Sequence, residues 1–138
     1  MDEIRITPED ITLKDIGQDD IFVFGSNEAG IHGAGAAYFA LSLGAEFGQG
    51  FGLMGNTFGI PTKDWLIRTL PLSCILFYVH RFIEFAIVNK DFRFYVTAVG
   101  TGLAGYTPEQ IAPMFKTASN IDNIYLPSEF WDIINKQW

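Results

Sequence analysis

Ile21-Phe-Val-Phe-Gly-Ser-Asn-Glu-Ala-Gly-Ile-His-Gly-Ala-Gly-Ala-Ala37 is the stretch on which the reading of the fold turns. It opens with four apolar residues, Ile21 to Phe24, that run without alternation into Gly25. Such a run suits a strand covered on both faces, the condition of strands in parallel sheets. A glycine-rich loop follows. From Ala34 to about Leu43 the chain is alanine-rich and reads as a helix, with Gly44 placed to cap its end.

Working outward, the same alternation repeats. Thr57–Ile60 reads as a short strand stopped by Pro61. From Leu72 to about Val88 the apolar residues at 72, 75, 76, 79, 82, 83 and 86 keep a helical period, with Arg81 and Glu84 on the wetter side. Phe92–Val99 is a strand that again ends at a glycine. Thr107-Pro-Glu-Gln110 is a helix start: Thr107 as N-cap, Pro108 at the first helical position, Gln110 closing a capping box. Ile111, Met114, Phe115 and Ala118 give that helix an apolar face. Ile121–Leu126 reads as a last strand and Ser128–Asn135 as a last short helix. Strands alternating with helices predict an α/β layered domain with a mixed, largely parallel sheet.

The 138 residues suffice for one domain with a sizeable core, and the whole chain, 1–138, is read as that domain. An apolar fraction of 49% with 15% aromatics excludes a disordered chain. A single cysteine excludes an internal disulfide framework. The formal charge of −7 argues against nucleic acid or an anionic membrane as partner, though not against a local phosphate site. No apolar run reaches the ~18 residues of a membrane helix. Met-Asp-Glu is not the start of a signal peptide, so the chain reads as soluble and cytoplasmic. Residues 1–20 hold seven acids against Arg5 and Lys14, and read as a solvated acidic edge.

Ten of the 14 glycines lie between Gly25 and Gly59, in a stretch with no Lys or Arg. Three more form the cluster Gly100, Gly102 and Gly105. Two loops thus follow candidate strands, Phe24–Ala37 and Val99–Tyr106, at the place where open α/β sheets bind ligands. Glycines allow backbone N–H groups to approach an anion closely, and the helix starts near Ala34 and Pro108 add partial positive charge. With no basic residue in either loop, a phosphate must be held mainly by main-chain amides. That suits a diphosphate within a nucleotide better than a highly charged polymer. Neither loop is a P-loop, and Gly33-Ala-Gly35 lacks the full dinucleotide fingerprint.

Phe22-Val-Phe-Gly-Ser-Asn27, His32-Gly-Ala-Gly-Ala-Ala37, Ile60-Pro-Thr-Lys-Asp64 and Val99-Gly-Thr-Gly-Leu-Ala-Gly-Tyr106 together resemble the macrodomain superfamily, and within it the bacterial and phage macro-like proteins. The resemblance spans about residues 20 to 128. It implies a three-layer α/β/α fold that binds ADP-ribose or a related NAD-derived nucleotide, in members that only bind and in others that hydrolyse ADP-ribosyl linkages. By the same resemblance, Asn27 contacts the distal ribose, and Gly33, Ala34 and Gly35 belong to a first phosphate loop. Gly100, Thr101, Gly102, Leu103 and Ala104 wrap the diphosphate. Gly25, Ser26, Thr62, Gly105 and Tyr106 flank these positions and complete the candidate ligand-binding set. Lys63 stands where one hydrolase branch has a lysine nucleophile. That branch carries an acid just after its Gly-Leu pair, where this chain has Ala104. The strand motif is Gly-Ser-Asn where many macrodomains carry Asn-Ala-Ala-Asn.

Each polar candidate has a second account. Lys63 contacts substrate or pairs with Asp64 at the surface. Asn27 meets the ligand or stabilises its own turn. His32, with Lys63 and Asp64 a candidate catalytic group, is a general base or a hydrogen-bonding anchor. His32 and His80 lack a third ligand for a metal site, and no cofactor is implied. Cys74 reads as inert core. Tyr106 and Phe58 stack a base or pack the interior, and Trp65 reads as an exposed aromatic at a pocket rim. Three functions are consistent with these residues: a nucleotide-binding protein that also hydrolyses ADP-ribosyl bonds, a non-catalytic module that sequesters or senses a nucleotide signal, and an assembly protein with a decayed pocket that meets its partner through the acidic N-terminal edge. The oligomeric state is left open.

Overall fold

A computed structural model describes residues 4–136; Met1-Asp2-Glu3, the residues that argue against a signal peptide, and Gln137-Trp138 lie outside it. Five strands, β1 (Asp20–Asn27), β2 (Gly52–Met54), β3 (Thr57–Lys63), β4 (Arg93–Val96) and β5 (Ile124–Tyr125), form one sheet in the order β2-β3-β1-β4-β5. β1 runs parallel to β3 and β4, and β4 parallel to β5, while β2 is an antiparallel edge. Four helices cover it: α1 (Gly35–Leu41), α2 (Leu72–Val88), α3 (Pro108–Ile111) and α4 (Ser128–Asn135). The architecture is α/β, with helices on both faces of a mixed, mostly parallel sheet.

β1 is the centre of the sheet, and its apolar run feeds both layers. Ile21 and Val23 point to a large core built with α2, α3 and α4, in which Ile75, Val79, Phe82, Ile111 and Phe130 are fully buried. Phe22 and Phe24 point the other way, into a smaller core closed by α1 and the segment near Ile11 and Ile16. A central strand buried on both faces has no polar side to show, which is why the run does not alternate.

The helix termini follow local chemistry. The Thr107 hydroxyl accepts from the Gln110 amide and the Gln110 side chain accepts from the Thr107 amide, so the capping box forms. The helix itself is short. Pro113 has no N–H to give the carbonyl four residues back, and α3 gives way after Ile111 to two 3-10 turns, 112–115 and 117–120. Pro61 does not stop its strand: β3 continues to Lys63, because a β-bulge between Ser26 and Asn27 of β1 leaves the extra residue Thr62 on β3. β4 ends at Val96, and the last strand keeps only Ile124 and Tyr125.

The N-terminal segment is only partly a solvated edge. Thr7 and Arg5 are buried, Ile6 bridges to Leu126, and the Trp131 indole N–H donates to the Arg5 carbonyl at 2.8 Å. Cys74 is exposed and not core: it stands off the apolar stripe of α2. No helix among the described residues is long and apolar enough to cross a membrane.

On α2, the Tyr78 hydroxyl donates to Glu28 at 2.5 Å. Burial first, and then the Glu28 carboxylate, push the phenol up to about 12 from an ordinary value of 10.0. A group whose folded pKa is raised stabilises fully below its unfolded pKa and ceases to do so above the folded one. Stability therefore falls as pH rises from about 10 to about 12. In Tyr78→Phe, melting temperatures taken across that window are expected to lose this part of the alkaline slope; an unchanged slope would show that Tyr78 ionises no differently in the unfolded chain.

Candidate functional site

At the carboxyl ends of β1, β3 and β4, the two glycine loops line one open cavity of about 450 Å³. The approach is close: a Cβ placed on Gly25 would lie 3.5 Å from the Gly100 amide nitrogen. Gly25, Ser26 and Asn27 form the end of β1, Gly33–Gly35 the first loop, Thr62 and Lys63 the end of β3, and Gly100, Gly102, Leu103 and Ala104 the second loop. The cavity brings these predicted residues together.

Most of their polar side chains are engaged in building the loops. The Asn27 carboxamide grips its own turn, donating to the Ile31 carbonyl at 2.7 Å and accepting from the Ile31 amide at 2.9 Å. Ser26 donates to the Gly50 carbonyl, Thr62 to the Ser26 carbonyl, and Thr101 to the Ala98 carbonyl. The main chain is left free. Among the described residues, the N–H groups of residues 33–37 and of Gly100, Gly102, Leu103 and Ala104 make no hydrogen bond within the protein. Buried backbone donors are ordinarily paired, and Gly100 is buried. A concave row of unpaired amides is a seat for anionic oxygens. The helices add little, since α1 has seven residues and α3 four.

Lys63 is the one charged side chain in the lining, and no carboxylate among the described residues pairs with it. The expected Lys63–Asp64 pair does not form. Asp64 turns instead to Arg68, four residues on, at 3.0 Å, and accepts from the Leu66 and Arg68 amides at 2.9 Å each. The Arg68 amide above all, helped by the Leu66 amide and the guanidinium, holds its carboxyl below the usual carboxylate range. Asp64 thus fastens the 64–68 turn and does not line the cavity.

His32 also lies outside the lining. It is fully buried, its Nε2 faces the Glu46 and Gln49 carbonyls at 2.9 and 3.1 Å, and its ring meets Phe24 edge-on. Two carbonyls at Nε2 require the proton there. A sealed imidazole in this role anchors residues 46–49 beneath the first loop; it is no general base for a ligand in the cavity. Thr101, Gly105 and Tyr106 do not line the site either: Tyr106 packs against the large core and donates to the Leu70 carbonyl at 2.7 Å. Phe58 is core. Trp65 is exposed on the turn between Lys63 and Ile67, both of which line the cavity.

The site has parts that the sequence did not reveal. Thr97, Ala98 and Val99 form its floor, and Ile31 and Ile67 its rim. A second lobe of about 420 Å³ shares Gly35, Ala36 and Thr97 with the first and reaches Glu9, Asp10, Ile11, Thr12, Phe22 and Phe39. Residues 9–12 carry no local signal of this. Only the return of the N-terminal segment beside α1 gives them a place in the groove. No family model, curated protein or solved structure matches the chain.

Proposed function

We propose that the protein binds a nucleoside diphosphate of the ADP-ribose kind, and that it does so without hydrolysing it. The observation that carries this reading is the set of unpaired amides, from residues 33–37 and from Gly100, Gly102, Leu103 and Ala104, on residues that line one cavity from two loops. A diphosphate fits such a seat because its charge is spread over oxygens at amide spacing and its parent molecule extends in both directions. The two cavities meet at Gly35, Ala36 and Thr97, which suits a ligand longer than a single phosphate. The second lobe, with Ile11 and Phe39 beside the carboxylates of Glu9 and Asp10, accepts a flat base that carries an amino group. The likeness of the two loops to those of macrodomains points to the same ligand class.

Hydrolysis needs a base or nucleophile in reach of the ligand. His32 is sealed, Asp64 is held by Arg68, and position 104 is alanine. Lys63 is left as a cation that meets a phosphate or ribose oxygen.

Calorimetry with ADP-ribose and with AMP tests the reading: ADP-ribose is expected to bind and AMP to bind far more weakly. Lys63→Ala is expected to weaken ADP-ribose about tenfold, the worth of one charge-assisted contact of ~1.4 kcal/mol. No heat with ADP-ribose at millimolar concentration would overturn the proposal, and release of ADP-ribose from a modified substrate by the wild type would overturn its second half.

A further inference from the structure

Ile67 is the one non-glycine residue among the described residues with a positive φ, at 63°. A β-branched side chain in the left-handed region is a strained arrangement, held only where the surroundings over-determine it, and such strain concentrates at functional sites. The surroundings here are Asp64 and Arg68. Asp64 accepts from the amides on either side of Ile67, and the Arg68 carbonyl accepts from the Asp64 amide at 2.7 Å. The result is an isoleucine on the cavity rim, 40% exposed.

It does not stand alone. Thr69 returns from the turn to pair with Lys63 and donates to the Ala104 carbonyl at 3.0 Å, which ties the turn to the second glycine loop beside Leu103. Leu103 is 81% exposed and lines the same cavity. Across from them, Ile31 is 52% exposed, on the loop pinned by Asn27, whose register partner in the sheet is Lys63. Three exposed aliphatic side chains therefore line the same cavity as Lys63, the one charged side chain in its wall. Apolar surface kept open around a polar seat marks a place for an apolar group.

Resting on the diphosphate reading, we propose that this collar holds a second ring, so that the natural ligand is a dinucleotide whose far ring is aromatic or conjugated and uncharged. Aliphatic walls suit a flat ring in preference to a bare, hydroxyl-covered ribose, whose polar groups they would leave unpaired. Lys63 decides the charge. An ammonium beside the face of a neutral π system is attracted to it, whereas a pyridinium in the same place is repelled. The diphosphate lies between the glycine loops, one base in the lobe near Ile11, and the neutral ring between Ile31, Ile67 and Leu103.

Calorimetry with ADP-ribose, NAD+, NADH and diadenosine diphosphate tests this, because they share one half and differ only beyond the diphosphate. The two ligands with a neutral second ring, NADH and diadenosine diphosphate, are expected to bind about tenfold more tightly than ADP-ribose or NAD+. Ile67→Gly, which removes the side chain and suits the positive φ, is expected to bring NADH down to the affinity of ADP-ribose while the protein stays folded. Lys63→Gln is expected to close the gap between NADH and NAD+. ADP-ribose bound as tightly as NADH, or an Ile67→Gly protein that keeps the preference, overturns the collar and leaves the diphosphate reading intact. Failure of all four ligands to bind overturns both.

Discussion

Gly50→Ala is expected to lower the melting temperature by roughly 10 °C, the mark of about 3 kcal/mol in a domain of this size. A Cβ on Gly50 would stand 1.9 Å from the Asn27 carbonyl oxygen and 2.9 Å from its carbon. These are backbone atoms of the central strand, so nothing flexible can yield. The same residue is held from two other sides. Its carbonyl accepts the Ser26 hydroxyl, and that oxygen would lie 2.2 Å from a Cβ on Gly59. Residues 46–50 are thus pressed against the end of β1 and against Gly59 within β3, with His32 bonded to the Glu46 and Gln49 carbonyls. Displacing Gly50 moves the support of the first glycine loop, and ligand affinity is expected to fall with stability. Gly33→Ala is the control: a Cβ there meets nothing within 4 Å, and φ is not positive. Thermal melts that leave Gly50→Ala within about 0.5 kcal/mol of the wild type would show that residues 46–50 do not pack on β1 in solution.

The same contrast explains what could be read from the chain and what could not. Features set by local chemistry were legible. The apolar period of 72–88 and the segment 128–135 returned as α2 and α4 with the same bounds, and the Thr107–Gln110 box closed as its residues demand. The alternation of these elements was enough for the α/β class. Features set by distant parts of the chain were not legible. Pro61 reads as a stop, yet a bulge absorbs it. His32 reads as a general base or a hydrogen-bonding anchor; it is the anchor, but its partners, the carbonyls of Glu46 and Gln49, come from fourteen and seventeen positions away. β2 carries too much glycine to look like a strand, and it exists because β3 offers it an edge. Two misreadings had their correction in the sequence itself. Pro113 stands inside the helix read over 107–118, and position 74 falls outside the apolar stripe 72, 75, 76, 79, 82, 83, 86, which contains the buried residues of α2. For the site, glycine spacing located both loops, because a cradle of main-chain amides needs residues that leave room. The rim of Ile31 and Ile67 was invisible, since it depends on a turn conformation that Asp64 and Arg68 impose on an otherwise unsuited residue.

Gly102→Val is expected to abolish binding, with a loss of roughly 100-fold or more (at least about 2.7 kcal/mol), at an unchanged melting temperature. Among the glycines of the second loop it separates stability from binding most cleanly. A Cβ on Gly100 would press to 3.0 Å from Ile111, and both Gly100 and Gly105 have positive φ, so substitutions there strain the fold itself. Gly102 has no such constraint: a Cβ meets nothing within 4 Å, and φ lies outside the left-handed region. Its amide is unpaired and its carbonyl accepts from Gly105 at 3.0 Å, so the residue is fixed with its nitrogen free. Valine is therefore accommodated at its Cβ, and its two methyls add bulk beside the unpaired amide. If that space is where the diphosphate sits, an amide seat that holds anionic oxygens at about 2.9 Å has no tolerance for a branched side chain beside it. Retained affinity in a folded Gly102→Val protein would remove the second loop from the grip on the diphosphate and return the open amides of 100–104 to solvent. Loss of affinity with an unchanged melt has the opposite meaning, because the free protein gives the valine nothing else to disturb.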